Sequence, residues 1–188
     1  MKEIRTGRIL GVTGHRPKKL KVTNAYSDEV LKALMRVALK HLRELEPCQV
    51  ITGMALAWDT ASAIAALHLE IPVVAAIPFE GQELSWPEPS QVRYHKILNK
   101  IARNRGEINI VSEGGYSAAK MLRRDEYIVD CSDIILALWD GNCSGGTAHT
   151  VKYAKSKKRS IINAWSDWVN SNHCYHLNPS NLTAKSCQ

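Results

Sequence analysis

Along the chain, short uninterrupted apolar runs alternate with longer stretches in which apolar residues recur at helical spacing. The runs at 8–13, 48–52, 72–77, 108–112, 133–139 and 159–163 lack the apolar–polar alternation of a half-exposed strand. Such runs are expected of strands in a parallel sheet, both of whose faces are covered by helices. Between them, residues 27–45 set Val30, Leu31, Leu34, Ala38, Leu42 and Leu45 on one side of a helix, and 60–69, 90–103, 116–131 and 147–155 show the same period. Strands and helices in alternation predict an α/β fold: a Rossmann-like, doubly wound, mostly parallel sheet with helices on both faces and right-handed crossovers. One domain is expected over 1–164. Residues 165–188, with abundant Asn and Ser, read as a C-terminal appendage whose Trp165 and Trp168 are placed to dock on the core.

Composition narrows the class of molecule. With 188 residues, 45% hydrophobic and 23% charged, the chain can bury a full core and is not a disordered segment. The apolar run 9–12, which follows the charged MKEIRTGR, is too short for a signal sequence or a membrane span, so a cytoplasmic protein with no membrane partner is expected. Five scattered cysteines without a Cys-x-x-Cys indicate neither a disulfide framework nor a zinc ribbon. His173, Cys174, His176 and Cys187 are irregularly spaced in a polar tail, and no metal is expected there. The net charge of +7 is uneven: residues 1–47 carry +6, 48–149 carry −4 and 150–188 carry +5. Its position matters more than its sum.

In doubly wound sheets ligands gather at the carboxyl ends of the strands, so the segments after each strand hold the functional information. The first is Thr13-Gly14-His15-Arg16-Pro17, where the glycine lets backbone amides approach an anion and His15 and Arg16 add charge-assisted donors beside Lys18, Lys19 and Lys21. The second, Thr52-Gly53-Met54-Ala55-Leu56-Ala57-Trp58-Asp59, opens a helix whose N-terminus favours an anion. Asp59 reads as the N-cap of that helix, with acceptance of a ribose hydroxyl as its alternative. The third, Pro78-Phe79-Glu80-Gly81-Gln82 with Trp86, Gln91 and Tyr94, suits the walls around a base or ribose. Glu80 is its best-placed carboxylate for acid–base work, and equally readable as a solvated loop charge. The fourth, Ser112-Glu113-Gly114-Gly115-Tyr116, leads to adjacent Arg123 and Arg124, which cannot both face one pocket; Arg124 shares a helix face with Tyr127 and Cys131. The fifth runs from Trp139-Asp140 to Gly145-Gly146-Thr147, pairing glycines with a hydroxyl donor at a helix start, as a phosphate requires. A Walker A ending is missing, and no Gly-x-Gly-x-x-Gly follows the first strand, which disfavours a P-loop enzyme and a standard dinucleotide dehydrogenase.

Taken in order, TGHRP (13–17), TGMALAWD (52–59), IPFEGQ (77–82) with Trp86 and Tyr94, Arg124 followed by Asp130, SDIILALWDG (132–141) and GGT (145–147) resemble the YpsA-type family of the SLOG superfamily. The resemblance spans about residues 8–163 and implies a Rossmann-like domain associated with nucleotides or ADP-ribose-type molecules. Within that superfamily, LOG-type phosphoribohydrolases cleave the N-glycosidic bond of a nucleoside monophosphate. They pair an arginine with a glutamate three residues after the threonine of their glycine loop. Arg124 matches the arginine, and Thr150 stands at the glutamate's place. The Smf/DprA DNA-processing proteins carry Ser-Gly-x-Ala-x-Gly-x-Asp, which TGMALAWD matches in part, with Thr52 for the serine and Ala57 for the second glycine.

Three functions follow. The leading one is a sensor or sequestering protein for a phosphate-bearing small molecule, a nucleotide or ADP-ribose-like ligand. Phosphates would lie over Gly14, Gly53, Gly145, Gly146 and Thr147, with Arg16 countering their charge and Phe79 or Trp86 against the base. His15, Thr52, Met54, Asp59, Gln82 and Asp140 complete that ligand-binding set. The second is a nucleotide N-glycosidase with Arg124 on the phosphate and Glu80 or Asp59 assisting at the ribose. The third, a DprA-like single-stranded nucleic-acid binder, is less favoured, because aromatic residues are 6% of the chain and do not interleave with basic ones. No cofactor is expected, and self-association as a homo-oligomer is open. Basic residues at 16–21 fall at the ligand edge of the sheet and those at 155–159 at the opposite edge.

Overall fold

A computed structural model describes residues 7–171. In chain order the elements are β1 (Ile9–Gly14), a 3₁₀ turn (Pro17–Lys19), α1 (Asp28–Leu45), β2 (Gln49–Thr52), α2 (Trp58–His68), β3 (Val73–Ile77), α3 (Glu88–Arg103) and β4 (Glu107–Ile110). There follow α4 (Ala118–Asp130), β5 (Ile134–Leu138), α5 (Gly146–Ser156), β6 (Ser160–Asn163) and α6 (Trp165–Ser171). The six strands pair in parallel in the order β4-β3-β2-β1-β5-β6. The chain thus winds outward from β1 to β4, crosses back to lay β5 beside β1, and ends at β6. This is the Rossmann-like α/β architecture that the alternating pattern implies. Because parallel crossovers are right-handed, the reversal of winding sends α1, α2 and α3 to one face and α4 and α5 to the other. The contacts of α1 with α2, α2 with α3 and α4 with α5 follow that division.

Local signals explain the boundaries. Ser27 caps α1 by accepting from the Val30 N–H at 3.3 Å, Asp28 and Glu29 stand in its first turn, and Glu46 in the left-handed region ends it. In α2 the small side chains of Ala61, Ala63, Ala65 and Ala66 are all buried, which lets the helix lie close to the sheet and to α1. The interior strands β3 and β5 are buried along their whole length, as their unbroken apolar runs require. The edge strands β4 and β6 are not: α3 packs on β4 and α5 on β6, but each strand lies at an edge of the sheet, and Ile108 and Ile110 are exposed. β4 also begins and ends earlier than its apolar run suggests.

Beyond residue 164 the chain forms α6, which returns to pack on α1. Trp168 is fully buried and its indole N–H donates to the Leu20 carbonyl at 3.2 Å, while Asp167 pairs with Lys40 and His41 of α1, each at 2.9 Å. His173, Cys174, His176 and Cys187 lie outside the described residues. Among the described residues no cluster of His, Cys, Asp and Glu is placed to hold a metal, and no helix is long and apolar enough to cross a membrane. Cys48 and Cys131 are free thiols.

Candidate ligand-binding crevice

Where the winding reverses between β1 and β5, the following loops diverge, and a crevice opens at the carboxyl edge of the sheet. Its volume is about 930 Å³, and each loop that follows β1 to β5 contributes to its walls.

One end is cationic. Arg16, Lys18 and Lys19 border it, facing the N-terminus of α5 at Gly145, Gly146 and Thr147. Gly145 is the N-cap with φ of 96°, a conformation that L side chains rarely adopt; a Cβ there would also come within 2.8 Å of the Lys19 Nζ. The same Nζ donates to the Ser144 carbonyl at 3.3 Å and so fastens the β1 loop to the β5 loop. Behind this end His15 is buried, with Nε2 2.8 Å from the Asp140 carboxylate and 3.1 Å from the Asp140 backbone nitrogen. Burial pulls the His15 pKa below its ordinary value, against the hydrogen bond and charge of Asp140, and Nδ1 has no partner. Burial also opposes ionisation of Asp140, but hydrogen bonds from His15, the Asn142 N–H and Lys21 outweigh it and hold the carboxyl at about 2. Asp140 therefore serves as the partner of His15 and Lys21 rather than as a wall of the crevice. Trp165 closes the group, edge-on to His15 at 5.4 Å.

The floor is built by the loop before α2. Thr52 donates to the Asp59 carbonyl at 3.2 Å and accepts from the Met54 N–H at 3.3 Å; Gln82 donates to the Gly53 carbonyl and to Tyr94, both at 3.3 Å. These buried residues brace the loop and do not themselves line the crevice. Met54 at φ 55° and Ala57 at φ 75°, ψ −107° hold non-glycine residues in the left-handed half of conformational space. Such strain, of order 1–3 kcal/mol per residue, persists only where the surroundings fix it.

The N-cap reading of Asp59 is corrected here. Ala57 is the cap and α2 starts at Trp58, so Asp59 lies inside the first turn and turns its carboxylate back to the Ala55 N–H at 3.3 Å. Burial pushes the Asp59 carboxyl up to about 6; the Arg124 guanidinium opposes this and the Asp125 charge adds to it. Arg124 reaches the floor from α4, with Nη1 3.6 Å from Asp59 and Nε 2.8 Å from an Asp125 oxygen. The latter contact lies off the N–H direction, so neither Nε nor Nη1 has a hydrogen-bond partner. Gly53 makes this placement feasible: a Cβ there would stand 1.3 Å from Nη1. Asp125 also has its pKa raised by burial, against Arg124 and a hydrogen bond from Thr150. Its Oδ2 lies 3.6 Å from where a Gly146 Cβ would be.

The structure thus brings His15, Arg16, Asp59, Trp86, Arg124, Gly145, Gly146 and Thr147 together, with Gly14 at the end of β1 against the Trp58 indole. Phe79 is buried outside the crevice, edge-on to Tyr116 at 5.9 Å, and leaves the rim to Tyr26, Trp86 and Tyr116. Glu80 is exposed and outside the crevice, because its loop turns it to solvent; the acid–base role expected of it has no geometric basis. Sequence reasoning missed Asp125. The signal was present: Asp125 stands three and four residues before the buried Ile128 and Val129, on the inward stripe of α4.

Fold and crevice together define a Rossmann-like α/β protein with its candidate site at the topological switch point. The chain belongs to the YpsA family, described as the YspA SLOG family, whose model matches residues 10–166. It is 32% identical over 117 residues to the uncharacterised SPbeta prophage-derived protein YoqJ of Bacillus subtilis, covering 56% of this chain and 68% of that one. It is 24% identical over 159 residues to a UPF0398 protein of Bacillus velezensis, covering 80% and 85%. DNA processing protein A from Streptococcus pneumoniae superposes with a TM-score of 0.57 at 18% identity, over 87% of this chain and 55% of that one. The Helicobacter pylori protein of the same name, whose structure concerns its single-stranded DNA binding mode, gives 0.55 at 15% identity over 89% and 74%. At these identities the likeness is one of fold.

Proposed function

We propose that this chain binds a nucleotide or an ADP-ribose-like ligand in the crevice, as a sensor or sequestering protein. One observation carries the reading: a crevice of about 930 Å³ joins a cationic end at a helix N-terminus to an aromatic rim. Phosphates suit the α5 N-terminus with Arg16, Lys18 and Lys19, where free N–H groups, the helix dipole and side-chain charge act together. A base suits the rim, where Tyr26 and Tyr116 are 51% and 74% exposed beside Trp86. Arg124, held between two carboxylates, is a poor phosphate ligand in comparison. Native mass spectrometry of the purified protein, alone and with a nucleotide panel, tests the reading. A bound nucleotide-sized mass is expected, and failure to carry or bind any nucleotide overturns it.

A second reading, N-glycosidic hydrolysis of a nucleotide, draws on Asp125. From α4 it sets a buried carboxylate beside Thr150, the position at which LOG-type enzymes have their glutamate. In that reaction water's oxygen bonds to C1′ as the C1′–N bond breaks, and the base leaves with a proton. Chromatography after incubation with nucleoside monophosphates should show free base and ribose 5-phosphate; intact nucleotides exclude it. A nucleic-acid track has less support, since Lys157 and Arg159 lie at the far end of α5 and both bond to Asp130.

A further inference from the structure

Away from the crevice, each edge of the sheet leaves one strand with main-chain groups unpaired among the described residues. Edge strands that resist association carry charged side chains there and keep apolar ones covered. β6 follows Lys157, Lys158 and Arg159, and its Ile161 and Ile162 are half-buried. β4 differs, with Ile108 and Ile110 41% and 53% exposed. The Val111 N–H donates inward to the Ile77 carbonyl at 2.8 Å. Successive residues of a strand aim their N–H and C=O groups to opposite sides, so Asn109 also points at β3, while Ile108 and Ile110 point out of the edge. Side chains alternate as well: Asn109 turns to α4, donating to the Tyr127 hydroxyl at 3.0 Å, so Ile108 and Ile110 lie on the face covered by α3. The cations of α3 are turned from this edge. Arg93, which reaches Asp28 of α1, shares a helix side with Lys96, Lys100 and Arg103, and the side next to β4 holds Leu98, Ala102 and His95. Open main chain and exposed apolar side chains thus coincide on the same two residues.

We propose that β4 pairs with β4 of a second copy of this chain, antiparallel and centred on Asn109, joining two six-stranded sheets into one across a two-fold axis. In that register Ile108 of one copy stands opposite Ile110 of the other. Both residues face outward, so they exchange their N–H and C=O groups as a hydrogen-bonded pair, and the axis repeats the pair. Their side chains then meet on the α3 face and cover one another. Counted outward from Asn109, Arg105 comes opposite Glu113 of the second copy. Both are exposed, and neither enters an ion pair among the described residues. The strand thus carries opposite charges beyond its two ends, as an antiparallel pairing with itself requires. This self-complementarity selects a second copy over the strand of another protein. The inference is independent of the nucleotide reading.

Analytical ultracentrifugation of the full chain tests it. So small a contact is expected to be weak, dissociating at about 10–100 µM, so the mass should double as concentration rises through that range. Hydrogen exchange at the Ile108 and Ile110 amides should slow with concentration, while that of the Asn109 amide, already turned to β3, changes little. Ile110→Lys is expected to weaken the dimer about tenfold or more by setting an ammonium group against Ile108 of the second copy. Arg105→Glu and Glu113→Arg should each weaken it about threefold or more, and the two together should restore it, because only this register sets the exchanged charges opposite each other. Should Ile110→Lys lower the thermal midpoint of the chain, the charge exchange decides, since both of its positions are exposed. A chain still monomeric at about 1 mM, a dimer indifferent to Ile110→Lys, or a double charge variant no tighter than the single ones overturns the proposal.

Discussion

Three positions on the floor of the crevice are held against ordinary preference. Ala57 adopts φ 75° and ψ −107°, a conformation that L side chains rarely adopt. Ala57→Gly is therefore expected to stabilise the fold by about 1 kcal/mol, read as an upward shift in urea midpoint, because the methyl group alone makes the conformation costly. Gly53→Ala should act oppositely. Its methyl would displace Arg124 from between two carboxylates, destabilising by about 3 kcal/mol and abolishing ligand binding. Asp59 makes stability depend on pH. Burial raises its carboxyl from 3.8 to about 6, against Arg124 and Arg16 and with Asp125, so the folded state holds the proton more tightly than the unfolded chain. That contribution is present below about 3.8 and is lost as pH rises through about 6. Urea titrations should show Asp59→Asn declining less than the unaltered protein across that window. An identical decline would place the buried titration elsewhere.

At the scale of elements, the chain's periodicity is informative where an element is covered and poor where it is not. β3 and β5 sit where their unbroken apolar runs place them, since both faces are packed. β4 shifts because it lies at an open edge, where burial no longer dictates the run. α2 begins before its helical pattern, since buried Trp58 and Asp59 are drawn inward by the loop rather than by a helical stripe. α6 has only seven residues and two tryptophans, too few for a period to be visible. It is nonetheless integral to the described fold. Trp168→Ala is expected to cost about 4 kcal/mol in chemical unfolding, and Trp168→Phe about 1 kcal/mol for the lost bond to Leu20. A Trp168→Ala protein of unchanged stability would show α6 to be dispensable.

Across the whole molecule, the candidate site was legible as a set of loops but not as a set of contacts. Glycine-rich segments after successive strands marked the carboxyl edge correctly. Which side chains meet there depends on pairs remote in sequence, such as His15 with Asp140 or Asp59 with Arg124, and neither periodicity nor spacing encodes them. The net charge of +7 resolves in the same way. Arg16, Lys18 and Lys19 border the crevice, while the basic end of α5 lies at the opposite edge of the sheet. The crevice thus grades from cations to aromatics, the order in which the proposed ligand would set its phosphates and its base. The most direct test is isothermal titration of ADP-ribose into the unaltered protein and into an Arg16→Ala, Lys19→Ala double variant. Saturable one-to-one binding, weakened about tenfold or more in the variant, is expected. Absence of binding to the unaltered protein, or binding indifferent to the loss of both cations, would contradict it.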